Sequence, residues 1–386
     1  MKNLTVLGST GSIGCNTLAV AANQDSAFRI FGLAAGRNVT LLAEQAERFR
    51  PEILALEREE DAEAFRRASS FSPSKILFGP EGAAEVAGDT RNDIVVSAIT
   101  GINGLRPTLA AVESGARVAL ANKESLVVGG FLLREAASRS GAEIIPVDSE
   151  HSAVFQCLGK ERAQDVRKVI LTASGGPFFR LTPEEMRSKP PEEALNHPRW
   201  KMGKKVTIDS ATMMNKGLEL IEARWLFDLT RDQLGILIHP QSVVHSLVEM
   251  CDGSVLAQLS LTDMKIPIQY ALTFPERTDS GLPSLDLSRI KELEFYDVDL
   301  DQFPLVSLAL EALEREQAYS VCLNAANELA VEAYLDKKID FFQIHEVVAE
   351  SLASQEQNQN VLTLDDIFAV DREARERTRQ LLQQRN

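Results

Sequence analysis

Cysteine is scarce in this chain and shows no arrangement. Its 386 residues include only Cys15, Cys157, Cys251 and Cys322, scattered and without CxxC spacing. Neither a disulfide framework nor a zinc site follows, and a reducing compartment is the default. No apolar run approaches the roughly eighteen residues of a membrane span. Met1-Lys2-Asn3 runs straight into an apolar strand that breaks at Gly8, with no signal-peptide or transit-like character. The expected location is therefore cytoplasmic, or an organelle interior for a processed form, with no membrane partner. Basic charge is short as well: 41 Lys and Arg face 56 Asp and Glu, a net charge of -15. That balance argues against nucleic acid as a partner, since a phosphate backbone needs a basic face. A small anionic substrate stays open, because a few lysines and arginines can dominate one pocket. Internal repeats and low-complexity segments are absent. The composition is otherwise that of a globular enzyme, 25% charged and 44% hydrophobic. The length suits two or three domains of about 150 residues and a large core.

Leu4-Thr5-Val6-Leu7 reads as a buried strand, followed by Gly8-Ser9-Thr10-Gly11-Ser12-Ile13-Gly14 and a helical Asn16 to Ala21. Strand, glycine loop and helix is the context of a dinucleotide site, here spaced GxxGxxG rather than GxGxxG. Glycines would let a pyrophosphate approach the helix N-terminus; the alternative is a tight βα turn. The second strand, Phe28 to Ala35, ends at Gly36-Arg37-Asn38. An NAD site would carry an acid here, whereas Arg37 suits a 2′-phosphate and so NADP, unless it is simply an exposed loop arginine. Further buried strands are expected at 53–56, 75–78, 94–98, 116–120 and 143–147, most of them separated by helical patterns. The fold class is α/β, with an N-terminal Rossmann-like, doubly wound parallel sheet. Ligands in such sheets lie beyond the carboxyl ends of the strands, where Asn122-Lys123-Glu124 and Asp148-Ser149-Glu150 fall.

Asp148 and Glu150, read as extended chain, point the same way and suit a cation between them; a helix-capping pair is the alternative. With Glu219 they would form an all-oxygen site for Mg2+ or Mn2+. After a strand at 168–173, the Ser174-Gly175-Gly176-Pro177 turn could hold an anion or be a plain turn. His197-Pro198-Arg199-Trp200-Lys201-Met202-Gly203 has the look of a lid, bounded by proline and glycine. The Thr207 to Glu222 stretch is the densest in chemistry. Thr207 to Asp209 read as a strand end, and Ser210 as the N-cap of a helix whose apolar positions are Ala211, Met214, Leu218, Ile221 and Trp225. On that helix Asn215, Lys216 and Glu219 share one surface and could hold a phosphate and a metal ion together, or form a solvated polar side. Runs at 242–250 and 254–261 flank Cys251-Asp252-Gly253 and read as a hairpin. Its outer edge could pair across a dimer. Residues 275–300 read as a linker. Four helical patterns then follow, near 305–316, 318–337, 341–355 and 365–384, as a small C-terminal helical bundle.

Six segments taken together closely resemble 1-deoxy-D-xylulose 5-phosphate reductoisomerases. They are the glycine loop from Gly8, Ala121 to Ser125, Val147 to His151, Ala173 to Phe178, His197 to Gly203 and Asp209 to Glu219. The resemblance continues through Leu323-Asn324-Ala325-Ala326-Asn327-Glu328. It implies an NADPH- and divalent-metal-dependent homodimer that converts 1-deoxy-D-xylulose 5-phosphate to 2-C-methyl-D-erythritol 4-phosphate. Mg2+, Mn2+ or Co2+ would serve as the metal. The implied division is an NADPH domain at 1–148, a catalytic and dimerisation domain at 149–274, the linker, and a bundle at 301–386. Thr10, Gly11, Ser12 and Ile13 would hold the NADPH pyrophosphate, with Gly36, Arg37, Asn38, Asn122, Glu124 and Gly203 completing that site. Asp148, Glu150 and Glu219 would bind the metal. Lys123, Ser149, Glu150, Ser174, His197, Ser210, Asn215, Lys216 and Glu219 would hold the substrate, with Glu150 and Lys123 moving protons. Trp200 and Met202 would belong to the lid; Arg199 has no assignment.

Overall fold

The computed structural model describes residues 1–24, 27–159, 161–355 and 361–385. Two compact units result. One comprises Met1–Leu126, Phe131–Ser152 and Asp263–Pro283; the other comprises Val127–Gly130, Ala153–Thr262 and Ser284–Asn386. This is a coarser division than the four parts expected.

The first unit alternates strand and helix. β1 (Lys2–Leu7), α1 (Ser12–Asn23), β2 (Phe28–Ala35), α2 (Val39–Phe49), β3 (Ile53–Leu56), α3 (Asp61–Ala68), β4 (Lys75–Phe78) and α4 (Gly79–Ala87) come first. β5 (Ile94–Ser97), α5 (Leu105–Glu113), β6 (Arg117–Leu120), α6 (Lys123–Ser140) and β7 (Ile144–Pro146) complete the run. Their sheet has the order β4-β3-β2-β1-β5-β6-β7, every pair parallel. The chain winds outward from β1 to β4 and returns at β5, so the switch point lies between β1 and β5. The central strands are apolar without alternation because both faces are covered: Leu4, Val6, Leu7, Val95 and Val96 have no exposure. α7 (Ser149–Leu158) follows β7, with its first turn assigned to this unit.

The second unit is built on a mixed sheet. β8 (Val166–Ala173) is followed by the short α8 (Pro183–Arg187) and α9 (Pro191–Ala194), then α10 (Lys204–Ala211) and α11 (Met214–Phe227). β9 (Leu234–Ile238), β10 (Val244–Met250) and β11 (Val255–Leu259) complete a sheet ordered β11-β10-β8-β9. β9 runs parallel to β8, and the other pairs are antiparallel. The hairpin forms where expected, with Gly253 at φ 89 in its turn. β9 is an addition to the sequence reading: five residues with glycine in second place gave no strand alternation. α12 (Lys265–Thr273) belongs to the first unit, packed against α1, β6 and β7, which corrects its placement in the catalytic domain.

The 275–300 segment is more than a linker. It contains α13 (Leu287–Ile290), and Tyr296 pairs with Ile238 as an antiparallel bridge through backbone bonds of 2.8 and 2.9 Å. Phe295 stacks on His239 at 4.8 Å between centroids. α14 (Pro304–Ala312), α15 (Gln317–Leu335), α16 (Gln343–Ala353) and α17 (Leu364–Arg385) match the four expected helices. α15 is central among them, and Ala325, Ala326 and Ala330, fully buried, let its neighbours approach closely. Among the described residues no helix is long and apolar enough to cross a membrane.

Candidate active-site residues in each unit

The glycine loop occupies the carboxyl end of β1. Gly8 sits at φ 78, and a Cβ there would lie 2.5 Å from the Ala98 carbonyl oxygen just past β5. A Cβ on Gly14 would lie 2.3 Å from the Gly8 oxygen. The loop is thus closed on itself at the switch point and has no room for side chains at either position. Gly11 is the N-cap of α1 and provides no side-chain cap. Gly11 and Ser12 are exposed and Thr10 and Ile13 half-buried, so the first N–H groups of α1 open to solvent, as an incoming pyrophosphate needs. Gly36, Arg37 and Asn38 follow β2 on the surface. Asn38 caps α2 by accepting from Leu41 N at 3.2 Å. The Arg37 side chain is 83% exposed and lies 3.7 Å from Glu57. Asn122 caps α6 by accepting from Ser125 N at 2.7 Å, and its amide donates to the Ile99 and Gly101 carbonyls and to Glu124.

Lys123, Asp148, Ser149 and Glu150 meet within the same unit. Lys123 Nζ lies 2.7 Å from Asp148 Oδ2, and His151 Nδ1 lies 3.2 Å from Asp148 Oδ1. Glu150 is in the first turn of α7, where its N–H donates to Asp148 Oδ1 at 3.2 Å. This corrects the extended reading of 148–150: the capping geometry holds, and Ser149 Oγ donates to Glu150 Oε2 at 2.7 Å. Capping does not exclude ligation, since a carboxylate offers about four lone-pair sites. His151, fully buried beside Asp148, had no assignment from sequence, although it closes the Val147–His151 segment.

In the second unit the Thr207–Asp209 stretch is helical, not a strand end. Its β-branched residues suggested extended chain, but Thr207 Oγ1 bonds back to the Gly203 carbonyl at 2.9 Å, and Lys205 pairs with Asp209 one turn on at 2.7 Å. Ser210 lies in the last turn of α10 rather than capping a helix. The chain breaks at Met213, at φ 60, and α11 starts afresh. α11 carries Asn215 and Lys216, which both bond Glu219. The surface expected of these residues is real, but it is not a solvated face: Lys216 is 4% exposed and Glu219 0%. Glu222, one turn further and 3% exposed, was not anticipated; its i+3 spacing from Glu219 was the available signal.

His197 Nδ1 accepts from the backbone N–H groups of Trp200 at 2.8 Å and Arg199 at 3.1 Å. That fixes the proton on Nε2, which donates to Ser174 Oγ at 2.8 Å. Burial lowers the imidazole pKa to about 4, keeping the ring neutral. Ser174 Oγ also accepts from Gly176 N at 3.1 Å, so the hydroxyl proton is left to donate elsewhere. A Cβ on Gly176 would lie 2.7 Å from the Ser210 carbonyl oxygen, so this turn packs directly on the end of α10. Trp200 is half-buried with its ring 6.4 Å from that of His245, and Arg199 Nε donates to the Pro240 carbonyl at 3.1 Å, which gives Arg199 a structural role. Met202 is half-buried, and Gly203, exposed, is the N-cap of α10.

The family model for 1-deoxy-D-xylulose 5-phosphate reductoisomerase matches residues 4–130, and its C-terminal domain models match 144–227 and 259–377. The 1-deoxy-D-xylulose 5-phosphate reductoisomerase of Chlorobaculum tepidum is 48% identical over 382 residues, 99% of this chain and 100% of its own. The chain belongs to this family. Among solved reductoisomerases, that of Zymomonas mobilis in complex with NADPH superposes with a TM-score of 0.93 at 41% identity, covering 99% of both chains. A reductoisomerase in complex with NADPH, fosmidomycin and magnesium superposes at 0.92, with 41% identity and 99% and 98% coverage.

Proposed function

We propose that this reductoisomerase-family chain isomerises and reduces 1-deoxy-D-xylulose 5-phosphate to 2-C-methyl-D-erythritol 4-phosphate, the non-mevalonate step toward isoprenoids. It does so with NADPH and a divalent metal, magnesium or manganese. The observation that carries this reading is the near-half identity to a curated reductoisomerase along 99% of the chain. The first unit offers NADPH a loop with glycine at positions 8, 11 and 14 and Thr10, Ser12 and Ile13 between them, a helix N-terminus without a side-chain cap and Arg37 for the 2′-phosphate. Gly36, Asn38, Asn122, Glu124 and Gly203 are the further residues assigned to it by family resemblance.

The metal fits Asp148, Glu150 and Glu219 by chemistry. All three are carboxylates, a hard oxygen donor set suited to Mg2+ or Mn2+. When bound, the metal supplies positive charge at the substrate's carbonyl and hydroxyl oxygens, and NADPH supplies the hydride. The chain's own groups do the rest. Lys216, Asn215, Ser210, Ser174 and the neutral His197 hold the phosphate end, with hydrogen bonds to a charged group worth about 1.5–3 kcal/mol each. Ser149 and Lys123 orient the carbon chain. Glu150 takes the hydroxyl proton as the carbon–carbon bond breaks and re-forms, and Lys123, 2.7 Å from Asp148, assists its movement. Trp200 and Met202 cover the substrate and exclude water.

A homodimer through the β11 edge, where Val255 and Leu256 are 53% and 42% exposed, and a cytoplasmic location complete the proposal. NADPH oxidation by the purified protein should require both the sugar phosphate and a divalent ion. It should stop with EDTA and return with Mg2+ or Mn2+. Turnover indifferent to chelator would favour a metal-free NADP dehydrogenase. NADPH binding without oxidation would favour a redox-sensing binder.

A further inference from the structure

We propose that Asn327, a bundle residue remote in sequence from every assigned site residue, is a positioning residue for the phosphate end of the substrate. It rests on the reading that Ser174, Ser210, Asn215 and Lys216 hold that phosphate. Asn327 lies in α15 with no exposure, among alanines and leucines. An amide buried in such company costs stability unless it is paired. Its Nδ2 donates to Asp209 Oδ1 at 2.8 Å. Asp209 is itself 1% exposed, and its other oxygen takes Lys205 Nζ at 2.7 Å.

Each oxygen of one buried carboxylate is thus held from a different side: one by the bundle, one by the preceding turn of α10. Asp209 is the residue immediately before Ser210. On a helix, adjacent side chains stand about 100° apart, so fixing the azimuth of Asp209 fixes that of Ser210. Gly176 packs on the Ser210 and Ala211 backbone, so the end of α10 touches the Ser174 turn as well as α15. Two residues on, Met213 takes a left-handed conformation that a side chain disfavours, by about 1–2 kcal/mol. That bend separates Ser210 on α10 from Asn215 and Lys216 on α11. A helix end adjoining a strained bend needs an external tie to keep one orientation, and Asn327 supplies it.

The test uses the full-length protein with Asn327→Leu, which keeps the branching and removes the donor, and Asn327→Asp, which places a second carboxyl against Asp209. Three quantities are read: KM for the sugar phosphate, KM for NADPH, and the affinity for inorganic phosphate followed by tryptophan fluorescence. We expect Asn327→Leu to raise the sugar-phosphate KM and the phosphate Kd about tenfold or more, with the NADPH KM within about twofold. Combining Asn327→Asp with Asp209→Asn, which restores one amide facing one carboxyl, should recover most of the loss. Parallel changes in both KM values, or an unchanged phosphate Kd in a folded Asn327→Leu protein, would overturn the proposal. A wild-type protein that binds phosphate but never oxidises NADPH would instead refute the catalytic reading, and the phosphate Kd would still decide the role of Asn327.

Discussion

His197 illustrates how one side chain's surroundings decide its chemistry. Two backbone donors occupy Nδ1 and burial opposes the charge, so the ring enters the site as a neutral Nε2–H donor. An NMR titration should place its midpoint near pH 4, against 6.5 for a free histidine. The unfolded chain takes up this proton first as pH falls, so this group's contribution to stability declines from about pH 6.5 and levels off below about pH 4. A His197→Asn protein should lose that part of the pH dependence in thermal melts. At Gly14, an alanine methyl would meet the Gly8 carbonyl, and Gly14→Ala should cost about 1–3 kcal/mol of local packing and weaken NADPH binding at least tenfold by fluorescence titration. Lys216→Ala removes one partner of a buried pair. It should raise the sugar-phosphate KM strongly and also lower stability, by about 3–5 kcal/mol, because the buried Glu219 carboxylate loses its ammonium partner. The tight turn at Gly8 and Gly14 was legible in sequence, because glycine is the residue type such packing demands. His151 and Glu222 were not, because their meaning comes from burial, and the Asp209–Asn327 pair was not, because its two members lie 118 positions apart.

Elements were read with uneven success for a physical reason. The parallel strands of the first sheet are continuous apolar runs bounded by glycine or polar turns, and their positions were evident to within a residue or two. The four bundle helices carried a clear three-to-four spacing. The α10 segment misled because Val206, Thr207 and Ile208 favour strands locally, whereas its actual state is fixed by packing against α11 and α15. The break at Met213 could not be read at all, since methionine carries no signal for a left-handed backbone. α11 also depends on close packing. A Cβ on Gly217 would lie 2.6 Å from that of Ala309 on α14. Gly217→Ala should therefore lower the melting temperature despite alanine's advantage of about 1 kcal/mol in a helix. It should also raise the sugar-phosphate KM, since Asn215, Lys216 and Glu219 ride on the displaced helix.

At the scale of the whole molecule, the β11 edge is the feature that asks for a partner. An open strand with outward Val255 and Leu256 is a pairing surface that a lone chain would leave exposed. Sedimentation should report a dimer for the native protein and a shift toward monomer for Leu256→Lys. Glu219→Gln should cripple metal-dependent turnover by at least a hundredfold while leaving the sedimentation profile unchanged.

Arg37 stands in water rather than in a cleft, tethered only loosely to Glu57. Discrimination between the two nicotinamide coenzymes would then rest on an attraction that dissolved electrolyte weakens, over a screening distance of about 8 Å in physiological saline and about 3 Å in molar salt. Ionic strength would tune coenzyme choice: in brine the preference for the phosphorylated form should narrow, with no change to the protein itself.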